Sequence, residues 1–382
     1  MIYFDNSATT KIHPSVLDTY VKTSQRILGN PSSLHQLGSQ ATRLLDQSRK
    51  QLAALLEVFP EEIYFTSGGT EGDNWVVKGT AIEKHGFGNH LIISDIEHSA
   101  VSKAAQQLAQ FGFEISKAPV DKRGILDVAA LAKLIRPETI LVSVMAVNNE
   151  VGSVQPIEAI SKILEAYPTI HFHVDAVQAL GKVSKDRWLT PRVDFATFSA
   201  HKFHGPKGTG FIFSRKGRII APLLNGGGQE HNHRSGTENV AGIVAMSRAA
   251  RLHLEDQELK NNREANIKDY LLDSLKKYDK VSIFSENTEN FAPHILCFGI
   301  KGVKGEVLVH AFEQKDIIIS TTSACSSRSK VAGSTLHAMG VHDSLATTAI
   351  RLSLEANSTM VEAEQFMIVF NQLYKQFSKI ND

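Results

Sequence analysis

From residue 62 to residue 213, short apolar runs alternate with stretches whose apolar residues recur at helical spacing. The runs at 63–66, 91–94, 113–118, 139–147, 172–174, 193–198 and 210–213 are predicted to be strands. Between them, 75–84, 100–110, 128–135 and 156–166 read as helices with one apolar face. Strands that are apolar almost throughout have to be covered on both faces. The pattern therefore predicts an α/β fold in which a large, mainly parallel sheet lies between helical layers. Beyond residue 247 the texture changes: 248–280 reads as a long charged helical region. Strand-like runs at 295–300, 316–320 and 350–354 follow, interleaved with helices, as in a smaller α+β domain.

A chain of 382 residues is long enough for two domains. Its 41 basic residues nearly balance 40 acidic ones, so no net field points to a nucleic acid or membrane partner. The N-terminus meets Asp5 too early for a signal peptide, and no apolar run has the length of a membrane span. With only Cys297 and Cys325, a disulfide framework and a cysteine-based zinc site are excluded, and the chain reads as cytoplasmic.

Ligands of parallel sheets bind beyond the carboxyl ends of the strands. After 63–66 comes Ser67-Gly68-Gly69-Thr70-Glu71, a glycine pair opening a helix. It is a cradle for a phosphate or a plain cap built on Thr70 or Ser67. After 91–94 comes His98, able to stack on a ring, move a proton or cap a helix. After 139–147, the polar loop Asn148-Asn149-Glu150-Val151-Gly152 supplies amide groups or turns the chain. Asp175 follows 172–174 and is costly to keep ionised unless a cation or an N–H faces it; a protonated pyridine nitrogen is such a cation. Gln178, one helical turn on, could reach a phenolic oxygen of the same ring.

Lys202 lies between two apolar runs in Ser199-Ala200-His201-Lys202-Phe203-His204-Gly205. A lysine so placed tends to lose its proton, and a neutral amine is what covalent attachment to an aldehyde cofactor requires. Taken together, these post-strand residues point to pyridoxal phosphate.

The chain resembles the cysteine desulfurases of the NifS/IscS type, within the class V aminotransferase group. The resemblance runs nearly end to end. It rests on Asp5-Asn6-Ser7-Ala8-Thr9-Thr10, Gly29-Asn30-Pro31-Ser32-Ser33-Leu34-His35, Phe65-Thr66-Ser67-Gly68-Gly69-Thr70-Glu71 and Asn148-Asn149-Glu150. It continues through His173-Val174-Asp175-Ala176-Val177-Gln178, His201-Lys202, Arg234-Ser235-Gly236-Thr237-Glu238-Asn239 and Ser323-Ala324-Cys325.

The resemblance implies the fold type I of pyridoxal phosphate enzymes, with a seven-stranded sheet. The large cofactor-binding domain would span 15–250, and 1–14 with 251–382 would form the small domain. It implies Lys202 as the cofactor lysine, Asp175 at the ring nitrogen, Gln178 at the phenolic oxygen and His98 on the ring. Gly69, Thr70, Ser199 and His201 would hold the phosphate. Thr237 would reach the phosphate of a second subunit, which implies a homodimer. Asn149 and Arg351 would position the substrate L-cysteine, Arg351 at its carboxylate. Alternation in 350–354 agrees, setting Arg351 and Ser353 opposite Ile350, Leu352 and Leu354.

Cys325, in a small polar segment at about 320–335 with Arg328 near it, is implied as the nucleophile that takes up sulfur. Cys297, in an apolar run, reads as buried and inert. One segment and one further residue depart from the family pattern. Lys330-Val331-Ala332-Gly333-Ser334 stands where Leu-Glu-Pro-Ser is common, and Gly72 replaces a serine. The implied product is L-alanine, with the sulfur passed to an iron–sulfur scaffold or a tRNA-thiolation enzyme. Rival readings are a selenocysteine lyase, an aminotransferase, or a sulfur-relay scaffold of low activity. No metal is expected; His231-Asn232-His233 is the weakest such candidate.

Overall fold

The computed structural model describes residues 1–322 and 335–378. Seven strands form the large sheet: Ile63–Thr66 (β1), His90–Ser94 (β2), Glu114–Ala118 (β3), Thr139–Ser143 (β4), His171–Asp175 (β5), Phe195–Ser199 (β6) and Gly210–Ser214 (β7). Their spatial order is β1-β7-β6-β5-β4-β2-β3. Only β7 runs against the others, pairing antiparallel with both neighbours. Each of β2, β4, β5, β6 and β7 is buried along its whole length.

Successive residues of one strand feed different cores, as the pleat requires. Ile92 and Val142 join the cluster that holds Phe172, Val174 and Phe198, whereas Leu91, Ile93 and Leu141 pack with Val77, Ala81 and Val101 on the other face. Continuous apolar strands thus correspond to a sheet covered twice.

A second, four-stranded antiparallel sheet is built from Val281–Ile283, Ile295–Ile300, Ser320–Thr321 and Ala349–Ser353. Helices Gln257–Leu275, Gly305–Glu313 and Met360–Ser378 contribute to its core, in which Leu271, Phe298, Phe312, Ile350, Leu352 and Phe370 meet. The N-terminal Ile2–Tyr3 pairs parallel with Ile317–Ile318, and Phe4 enters this core rather than the first.

Three expectations are corrected. The helical region at 248–280 is two helices, Val240–Leu254 and Gln257–Leu275, broken where Asp256 adopts the left-handed φ of 51°. The first is capped by the Asn239 side chain and packs into the large core, so its start was hidden by its apolar composition. The run at 316–320 is two short strands serving different sheets, Ile317–Ile318 and Ser320–Thr321. The run at 139–147 stops being a strand at Ser143, though Val144 and Ala146 still donate to the His173 and Asp175 carbonyls. Among the described residues, no helix is long and apolar enough to cross a membrane.

Candidate active site

The helix Gly69–Lys84 begins just after β1, with Gly68 as its N-cap at φ 151° and, among the described residues, no side-chain cap bond. Neither Thr70 nor Ser67 caps, which corrects that expectation; Glu71 instead accepts from the Ser67 N–H at 2.8 Å. The first amides of the helix are left facing outward at its positive end. A Cβ on Gly69 would lie 2.8 Å from Val177 Cγ2 and 3.4 Å from Ser199 Cβ, so the close approach depends on glycine. Gly69, Thr70, Ser199 and His201, with Thr9 and Lys207, line an open cavity of about 420 Å³. The helix amides, the hydroxyls of Thr9, Thr70 and Ser199, and Lys207 are donors that suit a phosphate group.

Lys202 sits in the short turn after β6. Its Nζ donates to the Ser7 carbonyl at 2.5 Å and the Ala8 carbonyl at 3.0 Å. The Gln178 amide donates to the same Ser7 carbonyl at 3.0 Å, which brings Lys202 and Gln178 together. Gln178 lies in a turn rather than a helix, another departure from expectation. Thr10 fixes this arrangement by donating through Oγ1 to the His201 carbonyl at 2.9 Å.

Asp175 ends β5, almost wholly buried, and its Oδ1 accepts from the Val177 N–H at 3.0 Å. Burial raises its carboxyl pKa, while the nearby charges of His98 and Lys202 oppose the rise. Burial lowers the pKa of His98, with Asp175 pulling the other way. His98 also caps the helix Ser99–Ala109, accepting from the Ala100 N–H through Nδ1 at 3.2 Å, so in its neutral form the ring carries its proton on Nε2. The capping and functional readings of this histidine are therefore compatible. His201 is held neutral, its pKa lowered to about 4 by burial and by Lys202 and Lys207.

Arg351 is brought to the site by the second sheet. Its guanidinium donates to the Asn149 carbonyl at 2.8 Å and pairs with Asp5 at 2.9 Å, and its Nε is buried with no hydrogen-bond partner among the described residues. Asn149 meets Arg351 through its backbone carbonyl. Thr237 is exposed and lies outside these contacts. Cys325 and Arg328, with 330–334, fall outside the described residues. Cys297 is fully buried, and burial pushes its thiol far up, as an inert cysteine requires.

Four participants escaped the sequence reading. The Ser7 and Ala8 carbonyls act through backbone, which no side-chain pattern announces. Glu97 accepts from Met145 N–H at 2.7 Å and Ser94 Oγ at 2.5 Å, and burial raises its pKa to about 8. The rule that picked out Asp175, an acid just past a buried strand, would have found it. Asp73 lies on the buried face of the helix Gly69–Lys84, its carboxyl pKa raised well above the usual range by burial and then by Asp175 and Glu97. Among the described residues, no group of three or more His, Cys, Asp or Glu is arranged to hold a metal.

The helix end after β1, the lysine after β6 and the buried acid ending β5 lie along one edge of a doubly covered sheet, an arrangement that fits a cofactor-dependent transferase. The family description "Aminotransferase class-V" matches residues 2–366. The chain is 52% identical to the "NifS/IcsS protein homolog" of Lactobacillus delbrueckii subsp. bulgaricus, over 100% of this chain and 99% of that one. It is 37% identical to the "Cysteine desulfurase IscS" of Methanosarcina thermophila, over 100% and 93% of the two chains. A solved "NIFS-LIKE PROTEIN" superposes with a TM-score of 0.91 at 36% identity, covering 98% of this chain and 99% of the other. The chain belongs to the class V aminotransferase family, and within it to the NifS/IscS cysteine desulfurases.

Proposed function

We propose that this protein converts L-cysteine to L-alanine with pyridoxal phosphate, holding the released sulfur as a persulfide on Cys325. The observation that carries the reading is the meeting of Lys202 and Gln178 at the Ser7 carbonyl, with His98 and Asp175 beside them, next to a helix end that no side chain caps. Lys202 would hold the cofactor's aldehyde, Asp175 its ring nitrogen, Gln178 its phenolic oxygen and His98 its ring face. Gly69, Thr70, Ser199 and His201 would hold its phosphate, and Thr237 would reach the phosphate bound by a second copy in a homodimer. When bound, the cofactor supplies an electron sink for the carbanion formed at the substrate's Cα.

Arg351 binds the substrate carboxylate and, with Asn149, orients the amino acid. Lys202 and His98 move protons at the substrate. The Cys325 thiolate attacks the substrate sulfur: an S–S bond forms, the C–S bond breaks, and its electron pair passes to the substrate carbon. That carbon takes up a proton and leaves as L-alanine, so no outside oxidant or reductant is consumed. In this reading, 15–250 is the cofactor-binding part, and 1–14 with 251–382 delivers Arg351 and Cys325. The sulfur then passes to an acceptor protein in iron–sulfur assembly or tRNA thiolation.

The experiment is alanine release from L-cysteine by the purified holoenzyme with no 2-oxo acid present. Stoichiometric alanine is expected. Release only on adding a 2-oxo acid would make the protein an aminotransferase instead.

A further inference from the structure

The post-strand loop Asn148–Gly152 does more than turn the chain. Asn148 is fully buried, and each end of its side-chain amide is engaged. Its Oδ1 accepts from the Glu150 and Val151 N–H groups, both at 2.9 Å. Its Nδ2 donates to Thr335 Oγ1 at 2.9 Å and, more loosely, to the Ile96 carbonyl at 3.4 Å. Glu150 adds a second tie to the same residue, its Oε2 accepting from the Thr335 N–H at 3.2 Å. Burial raises the Glu150 carboxyl pKa to about 7, with the Arg351 charge opposing the rise, while the guanidinium's own hydrogen bonds go to Asn149 and Asp5.

Thr335 stands ten positions after Cys325 in the sequence. On the other side of Cys325, Ser320 pairs with Arg351 in the antiparallel ladder. Chain on both sides of the nucleophile is therefore fastened around one contact, that between Arg351 and the Asn149 carbonyl. Satisfying a buried amide and a carboxyl with bonds to Thr335 holds this end of the segment at a defined place. A thiolate must come within about 3–3.5 Å of the atom it attacks, and small misplacement costs rate steeply.

We propose that Asn148 and Glu150 are positioning residues for sulfur transfer, acting through Thr335 to set where the chain carrying Cys325 is tethered relative to the substrate held at Arg351. The inference rests on the desulfurase reading above.

The test uses holoenzyme carrying Thr335→Val, which removes the hydroxyl but keeps shape and N–H, and Glu150→Ala, with Glu150→Gln as the conservative variant. Three quantities are measured: the change in cofactor absorbance on adding L-cysteine, the single-turnover rate of persulfide formation on Cys325, and hydrogen exchange of the Thr335 amide in a peptide that starts several residues before it. Thr335→Val and Glu150→Ala should each slow persulfide formation by about tenfold, with the absorbance change kept within about twofold. Exchange of the Thr335 amide should rise in Glu150→Ala. Glu150→Gln, whose amide oxygen still accepts from that N–H, should recover most of the rate.

Parental persulfide rates in both disruptive variants would overturn the proposal. Equal losses in absorbance change and persulfide rate would also overturn it, since they would indicate a purely structural role. If the parent protein itself forms no persulfide, the desulfurase reading fails and the positioning role falls with it.

Discussion

Asp175, Ser199 and Lys202 enter the site at or just past the ends of strands in the seven-stranded sheet, whereas Arg351 enters from the middle of an antiparallel strand. At a strand end, the last ladder bonds fix the backbone, and the side chain is held by short-range bonds to neighbouring loops, as Lys202 is by the Ser7 and Ala8 carbonyls. In mid-strand, a charged side chain has to be accommodated by the core on either side of it. Arg351 is accordingly buried, paired with Asp5 and bonded to a carbonyl before any ligand arrives. The parallel sheet can therefore lose a functional group and keep its fold, while the smaller sheet cannot lose Arg351 without structural cost.

The largest expected effect is at a strand end. Lys202→Ala should cut cysteine turnover by about 10³-fold or more, leaving the urea midpoint near that of the parent. Alanine release and the absorbance of protein-linked cofactor check the first point, and urea unfolding the second. Arg351→Leu should do both kinds of damage. It strands the Asp5 carboxylate and removes the proposed substrate contact, costing about 3–5 kcal/mol of stability together with a raised KM. Unchanged stability in Arg351→Leu would erase the contrast between the two sheets.

Gly69→Ala sharpens the comparison within the parallel sheet. The added Cβ meets Val177 Cγ2 at 2.8 Å, so Val177 or the helix end must shift. Cofactor affinity, followed by absorbance titration, should fall by about tenfold with little effect on the unfolding midpoint.

An effect on pH dependence alone concerns Glu97, whose carboxyl pKa is raised by burial from 4.5 to about 8. A raised pKa means that the folded state keeps a proton the unfolded state gives up. The stability this contributes is complete below pH 4.5 and is lost as pH rises toward 8. One proton accounts for at most about 1.4 kcal/mol per pH unit. Glu97→Gln should flatten that slope between pH 5 and 8 in urea titrations, and a slope equal to the parent's would show that Glu97 is ionised in the fold.

The seven strands were legible because both faces of the sheet are covered, which leaves continuous apolar runs in the sequence. Their ends led directly to Asp175, Gln178, His98 and Lys202. The break between the helices Val240–Leu254 and Gln257–Leu275 was not legible, because Asp256 takes a left-handed conformation that no glycine advertises. The Ser7 and Ala8 carbonyls were equally hidden, since any residue can supply them. Asn148 was passed over in favour of Asn149; adjacent asparagines look alike until burial shows that one is spent on Thr335 and the other offers its carbonyl to Arg351.

The central claim is that these residues together make Cys325 a sulfur acceptor. Intact-protein and peptide mass spectrometry of holoenzyme after one turnover with L-cysteine tests it most directly. The account predicts one added sulfur atom, on the peptide containing Cys325, absent from Cys325→Ser although that variant keeps its cofactor. Sulfur found on Cys297, or undiminished alanine release by Cys325→Ser, would contradict it.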